Sequence, residues 1–314
     1  MNLLRRIILG IAVGLAMLNL QGCLSVRIRR PIGNRVAKTK IAPKMATKDE
    51  LAQKIQSINN QIRSFQATLN MTPSTGSVYK GEITEYRDIR GYILFRDPQS
   101  IRIIGQYPVV RATAFDMVSD GKVFKISFPA KSLFVIGENA APTTSSNKLE
   151  NWRPQAFLDS MLLRPVDPNA QEKTTLLDFT DEDHSFYILL IQRIDPGGNI
   201  IPLRSIWFDR VDLSIIRQMV YSPDSNILSD TRYSNWTDFS GVSFPKTIDI
   251  NRPVDGYGVV LDVVKMEMNI QLTDQQFALQ QPPGSKLQVI GSPEGVPSQP
   301  AVSRTSSGAA RSQK

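Results

Sequence analysis

The one thiol in the 314-residue chain is Cys23, in the stretch "LNLQGCLSVRIRR" between an apolar run and a cluster of arginines. A single cysteine forms no internal disulfide, so its chemistry must lie elsewhere. Met1 to Arg6 is a short positive leader, and Ile7 to Leu20 is an apolar run of fourteen residues. That run falls short of the roughly 20 residues a membrane-spanning helix needs, but it suits the hydrophobic region of a secretory signal. Leu20-Gln21-Gly22-Cys23 then resembles a bacterial lipobox, with a small residue before the cysteine and the less usual Asn19 and Gln21 upstream. The chemistry is S-alkylation by a diacylglyceryl group. A thioether holds lipid stably, and cleavage before Cys23 frees an amine for a further acyl chain. The alternative is an inert cysteine behind an ordinary secretory signal. The expected cofactor inventory is none beyond covalent lipid on Cys23.

The other candidate chemistry is thin. His184 is the sole histidine and lies in "DEDHSF" with Asp181 and Asp183. Three loop residues supply neither the geometry nor the fourth ligand of a metal site, so a solvated turn and no bound metal are expected. No glycine-rich phosphate loop, nucleophile elbow or Cys/His pair occurs, and no catalytic residue is assigned. The net charge of +8 sits at the ends. Residues 1–48 carry ten basic residues and no acid, whereas residues 49–285 hold 23 basic and 28 acidic ones. A nucleic-acid partner needs a basic face on the folded part, and the footprint is absent there.

These residues divide the chain into 1–22, a lipoprotein signal peptide; 23–48, the lipidated cysteine and a basic tether; 49–285, the folded domain; and 286–314, a disordered tail. The tether carries eight basic residues and two prolines. It reads as a flexible spacer, or as a segment attracted to anionic lipid head groups. The tail is rich in Pro, Gly, Ser and Ala and has no aromatic residue with which to build a core.

Within the domain, Thr47 and Glu50 form a candidate capping box. Leu51, Ile55, Ile58, Ile62, Phe65 and Leu69 follow at helical spacing, so an amphipathic helix is expected over 47–69, ended by Pro73 and Gly76. Short β-rich runs come next, among them "YILF", "SIRIIGQ", "KVFKISF" and "SLFVIG", with Asp120-Gly121 as a two-residue hairpin signal. "WRPQAFLDSMLLRP" is a short second helix that opens at Pro154, with Phe157, Met161 and Leu162 on one face. Strands resume at "KTTLLDF", "SFYILLIQRI", "SIWFD", "SIIRQMVY", "VSFPKTIDI" and "GVVLDVVKMEMNIQL". The expected fold class is mainly β with helices (α+β): a half-open, strongly curved antiparallel β-barrel of about eleven strands, an N-terminal amphipathic helix and a short lid helix. "YILLI" and "GVVLDVV" are apolar at both parities. One face then covers a core and the other lines a covered cavity, unless two sheets pack around a dry interior.

One series of turns is specific. Gly91 precedes a strand, Arg96-Asp97-Pro98 marks a hairpin, and Arg102 lies on the next strand. Pro108 and Val118-Ser119-Asp120-Gly121-Lys122 follow, and later Gly241-Val242 and Phe244-Pro245. In this order, across about 49–285, they resemble the LolA/LolB-like outer-membrane lipoprotein-sorting family. The resemblance implies a lipid-binding, chaperone-like carrier fold whose apolar cavity shelters acyl chains. It places the protein at the outer membrane, lipid-anchored and facing the periplasm, and makes it a monomer that is not an enzyme. Its partners would be the membrane, lipoprotein or lipid cargo, and a periplasmic carrier as donor. Strand parity within that fold nominates Ile93, Phe95, Ile101, Ile103, Phe115, Met117, Phe124 and Ile126 as cavity wall, with Phe157 and Met161 from the lid. Tyr107, Val109 and Val110 fall on the loop that the membrane-anchored branch directs at the bilayer. The expected function is to bind acyl chains and assist lipoprotein localisation. The alternative is a binding module of the same fold that senses or assembles without transferring cargo.

Overall fold

Thr47 caps the first helix as its sequence dictates. Its hydroxyl accepts from the Glu50 N–H, and the Glu50 carboxylate accepts from the Thr47 N–H at 2.7 Å. The computed structural model describes residues 42–77, 81–140, 152–180 and 184–291. Helix α1 spans Lys48–Asn60 and buries Leu51 and Ile55. It ends nine residues before the expected Leu69, which is a correction. Beyond Ile62 the buried apolar positions are Phe65, Ala67, Leu69 and Met71, a period of two with polar residues between them. Phe65 and Leu69 fit both a helical and an alternating series. The small Ala67 and the β-branched Thr68 and Thr72 favour the strand β1 (Ser64–Ser77).

The remaining strands are β2 (Glu82–Glu85), β3 (Ile89–Arg96), β4 (Ser100–Gln106), β5 (Thr113–Ser119), β6 (Val123–Phe128) and β7 (Leu133–Glu138). After helix α2 (Pro154–Met161) come β8 (Lys173–Thr180), β9 (Ser185–Ile194), β10 (Ile200–Asp209), β11 (Ile215–Tyr221), β12 (Ile227–Phe239), β13 (Val242–Arg252), β14 (Tyr257–Met268) and β15 (Lys286–Ile290). All belong to one sheet, ordered β15-β7-β6-β5-β4-β3-β1-β14-β13-β12-β11-β10-β9-β8, with β2 hairpinned onto β1. Its terminal strands do not pair, so the sheet is open. Among the described residues there are fifteen strands where about eleven are expected; β1, β2, β12 and β15 lie outside the runs that read as strands. The boundary expected at residue 285 also moves, because β15 adds to the β7 edge in parallel. Its predecessor segment is clamped on the way. Arg96 donates to Leu272 O and pairs with Asp274, and Arg102 forks onto Asp116 while donating to Gln276 O. The arginines of the turn series are therefore fasteners of a crossover.

Asp120-Gly121 does turn β5 into β6, but not as a two-residue type I′ loop. Gly121 is at φ 95° and Asp120 is not at positive φ; the Asp120 carboxylate instead accepts from the N–H groups of Lys122 and Val123. Gly91, paired with Leu69 across β1 and β3, leaves no room for a Cβ, which would lie 2.6 Å from Leu69 Cδ1. Gly91→Ala is expected to lower stability by about 1–3 kcal/mol through overpacking. A urea midpoint unchanged from the parent would contradict this.

The sheet bends around its helices. α2 touches β4 and β5 on one side and β13 on the other, while α1 meets β8 and β9. One apolar cluster takes residues from both helices and from strands of both halves of the sheet. Among the described residues no helix is long and apolar enough to cross a membrane.

Candidate functional site

The ten residues nominated as cavity wall do converge. Ile93, Ile103, Met117 and Ile126 form one cross-strand row on the inner face of β3 to β6, and Phe95 faces Ile101 in the next. Phe115 and Phe124 flank these rows, with Phe157 and Met161 over them from α2. All ten belong to the buried core. Aromatic side chains pack behind them. Phe65 packs on Phe95 and Phe244 at 5.3 and 6.0 Å between centroids. The void under the end of α2, lined by Met161, Leu162, Leu163, Tyr233 and Phe244 among others, measures about 10 Å³. That is room for about one water and not for an acyl chain.

Helix α2 is held differently at its two ends. At its start, Trp152 meets Phe115 edge-on at 5.1 Å, Phe157 stacks near Tyr257, and the Arg153 guanidinium lies 4.5 Å over the Phe124 ring. Desolvation here lowers the Arg153 pKa and pushes the Tyr257 phenol up to about 12. The Tyr257 hydroxyl is buried and has no hydrogen-bond partner among the described residues.

At its end the fastening is polar. The last carbonyls of a helix have no partner within it. Here Gln218 Nε2 donates to Asp159 O at 3.0 Å and Tyr233 Oη to Ser160 O at 2.8 Å. The Ser160 hydroxyl lies 3.3 Å from that of Ser229, itself 3.2 Å from Thr231 Oγ1. The chain beyond is tied in the same manner. Asn59 Nδ2 donates to Leu163 O, and Arg204 donates to Arg164 O and Pro165 O and pairs with Glu172 at 3.1 Å. Burial lowers the Arg204 pKa, with Glu172 opposing, and pushes the Tyr233 phenol above the usual tyrosine range. Sequence reasoning missed all of these donors. β12 was not read as a strand, so the inward parity of Ser229, Thr231 and Tyr233 went unassigned, and Gln218 is a lone polar residue at an inward position of β11.

The second apolar face of "YILLI" points outward rather than into an interior cavity. Tyr187, Leu189 and Ile191 are buried, and Phe186, Ile188 and Leu190 are half-buried on the opposite face. Phe186 there borders an open groove of about 580 Å³ with Trp207, Arg217, Arg232 and Asp249. The loop Tyr107-Pro108-Val109-Val110 projects between β4 and β5, with Val109 90% and Val110 72% exposed. His184 stacks near Phe186 at 5.6 Å. Asp181, Asp183 and Cys23 lie outside the described residues.

No family model matches the sequence, and no curated protein matches it. Among solved structures the chain is similar to a LolA superfamily protein from Nitrosomonas europaea, at 18% identity over 73% of this chain and 97% of that one, TM-score 0.45. It is also similar to a DUF1329 family protein from Desulfovibrio piger, at 15% identity over 74% and 95%, TM-score 0.48. A third is a putative outer membrane lipoprotein-sorting protein domain from Vibrio parahaemolyticus, at 12% identity over 74% and 97%, TM-score 0.49.

Proposed function

We propose that this protein is a lipid-anchored, periplasm-facing carrier or acceptor at the outer membrane that binds acyl chains of lipoproteins or other amphiphiles against the inner face of its sheet. The observation that carries the reading is the seating of α2. An eight-residue helix lays Phe157, Leu158 and Met161 on the row of apolar strand residues nominated as the wall. Ligand entry requires α2 to move, because it covers these residues. Exposed acyl surface costs roughly 25 cal/mol per Å² in water, so a ligand able to take the place of α2 has a large driving force to do so. Smooth apolar walls favour capture without tight specificity, which suits release. The lipobox at Cys23 supports the anchor and the location, and no catalytic step is assigned.

A second reading, a binding module that senses or assembles without transferring cargo, draws on the packed interior itself. Native mass spectrometry of the full chain, mixed with a triacylated lipopeptide, separates the two. Bound lipopeptide supports the carrier. A chain that takes up none and holds a stable protein partner instead supports the module and removes the carrier.

Val109 and Val110 supply the tip that meets the bilayer. Val109→Glu combined with Val110→Glu is expected to leave the melting temperature within a few degrees of the parent, since surface changes usually act by less than ±0.5 kcal/mol. Cargo insertion into vesicles should fall at least tenfold. Unchanged insertion would remove the loop from the mechanism.

A further inference from the structure

Between Asp159 and Pro165 the chain is bound as a ligand would be. The carbonyls of Asp159, Ser160, Leu163, Arg164 and Pro165 each accept from a side chain outside the segment: Gln218, Tyr233, Asn59 and, for the last two, Arg204. Gln218 and Tyr233 are each 3% exposed and belong to the inner face of β11 and β12. A purely apolar wall would serve an acyl chain better, since a buried donor without an acceptor is costly. Nearby, under the start of α2, a third inward donor lacks an acceptor among the described residues: the Tyr257 hydroxyl, on a residue 2% exposed.

The geometry points to a carbonyl-reading subsite on the inner face, made of Gln218, Tyr233 and Tyr257, that selects lipids whose acyl chains are joined through ester or amide carbonyls. The end of α2 occupies this subsite as a stand-in while the protein is empty. This deepens the carrier reading and rests on it. When α2 lifts, Gln218 Nε2 and Tyr233 Oη lose Asp159 O and Ser160 O. A ligand carbonyl restores each bond, and an alkyl ether restores neither as well, because its oxygen is the weaker acceptor. The apolar half of the same face, Ile93 to Ile126, holds the chains. The two halves together match an amphiphile whose carbonyls sit where its chains begin.

The test compares a dipalmitoylglyceryl lipopeptide with its dihexadecyl ether analogue, each displacing a fluorescent fatty acid from the full chain. The ester is expected to bind about tenfold more tightly for each donor it satisfies. In Gln218→Met combined with Tyr233→Phe the preference should fall to the roughly tenfold that Tyr257 alone supplies. The ether should bind more tightly than to the parent, since the stand-in is then held less firmly and the open form is more populated. Tyr233→Phe alone removes a single oxygen and serves as the variant least able to disturb folding, which circular dichroism verifies. Equal affinity of the parent for ester and ether overturns the subsite and leaves the carrier reading standing. Failure of the parent to bind either lipid overturns both.

Discussion

Cys23→Ser is expected to transfer the protein almost entirely from the carbonate-washed membrane fraction to the soluble fraction. One acyl chain binds a bilayer only marginally, and each further chain adds roughly 0.8 kcal/mol per buried methylene. Two or three chains on Cys23 therefore amount to permanent attachment, and their loss is close to all-or-none. The basic residues between Val26 and Lys48 attract anionic lipid at up to about 1 kcal/mol each near the surface, and carbonate and salt disrupt that attraction. Full retention on washed membranes would show that the anchor lies elsewhere in the chain.

The second large effect is expected at Arg204. Its side chain is 4% exposed and its fork satisfies three acceptors, the carbonyls of Arg164 and Pro165 and the carboxylate of Glu172. Arg204→Met keeps the bulk of the side chain and removes every donor. Glu172, whose carboxylate is 12% exposed, is then left with an unmatched charge in a poorly hydrated site. Breaking one partner of such a pair costs about 3–5 kcal/mol. Chemical denaturation should report that loss. Hydrogen exchange should show the amides of 158–165 opening faster than those of β3 to β6, because the chain following α2 loses its tie. Arg204→Met together with Glu172→Met should recover part of the stability. A loss under 1 kcal/mol in the single variant would mean that the strap is held by its apolar contacts alone.

Several elements were legible because their signals are local. Thr47 and Glu50 lie three residues apart, and the capping box they form is present as spaced. Pro154 opens α2, since its fixed φ and missing N–H suit a first helical turn. The wall residues of β3 to β6 were assigned by parity alone and all lie inward, because alternation on a strand is a geometric necessity. The errors came where one pattern fits two periods or where long-range pairing decides. Phe65 and Leu69 sit at helical spacing after Ile62, yet β1 forms there because β14 and β3 flank it on both sides. Lys286–Ile290 lies among tail-like residues and becomes a strand only because the β7 edge offers unpaired backbone groups.

By itself the sequence determined the strand-rich character, the capped helix at Thr47 and which strand positions turn inward, all consequences of neighbours a few residues apart. Only the tertiary structure decided what those inward faces enclose. Gln218 meets Asp159 across 59 residues and Tyr233 meets Ser160 across 73, so no local pattern announces either bond. Whether inward side chains leave a hollow depends on how closely the two halves of the bent sheet and α2 approach one another. That distance depends on the volumes of Phe65, Phe95, Phe124, Phe157, Phe208 and Phe244, all fully buried and drawn from strands and a helix far apart in the chain.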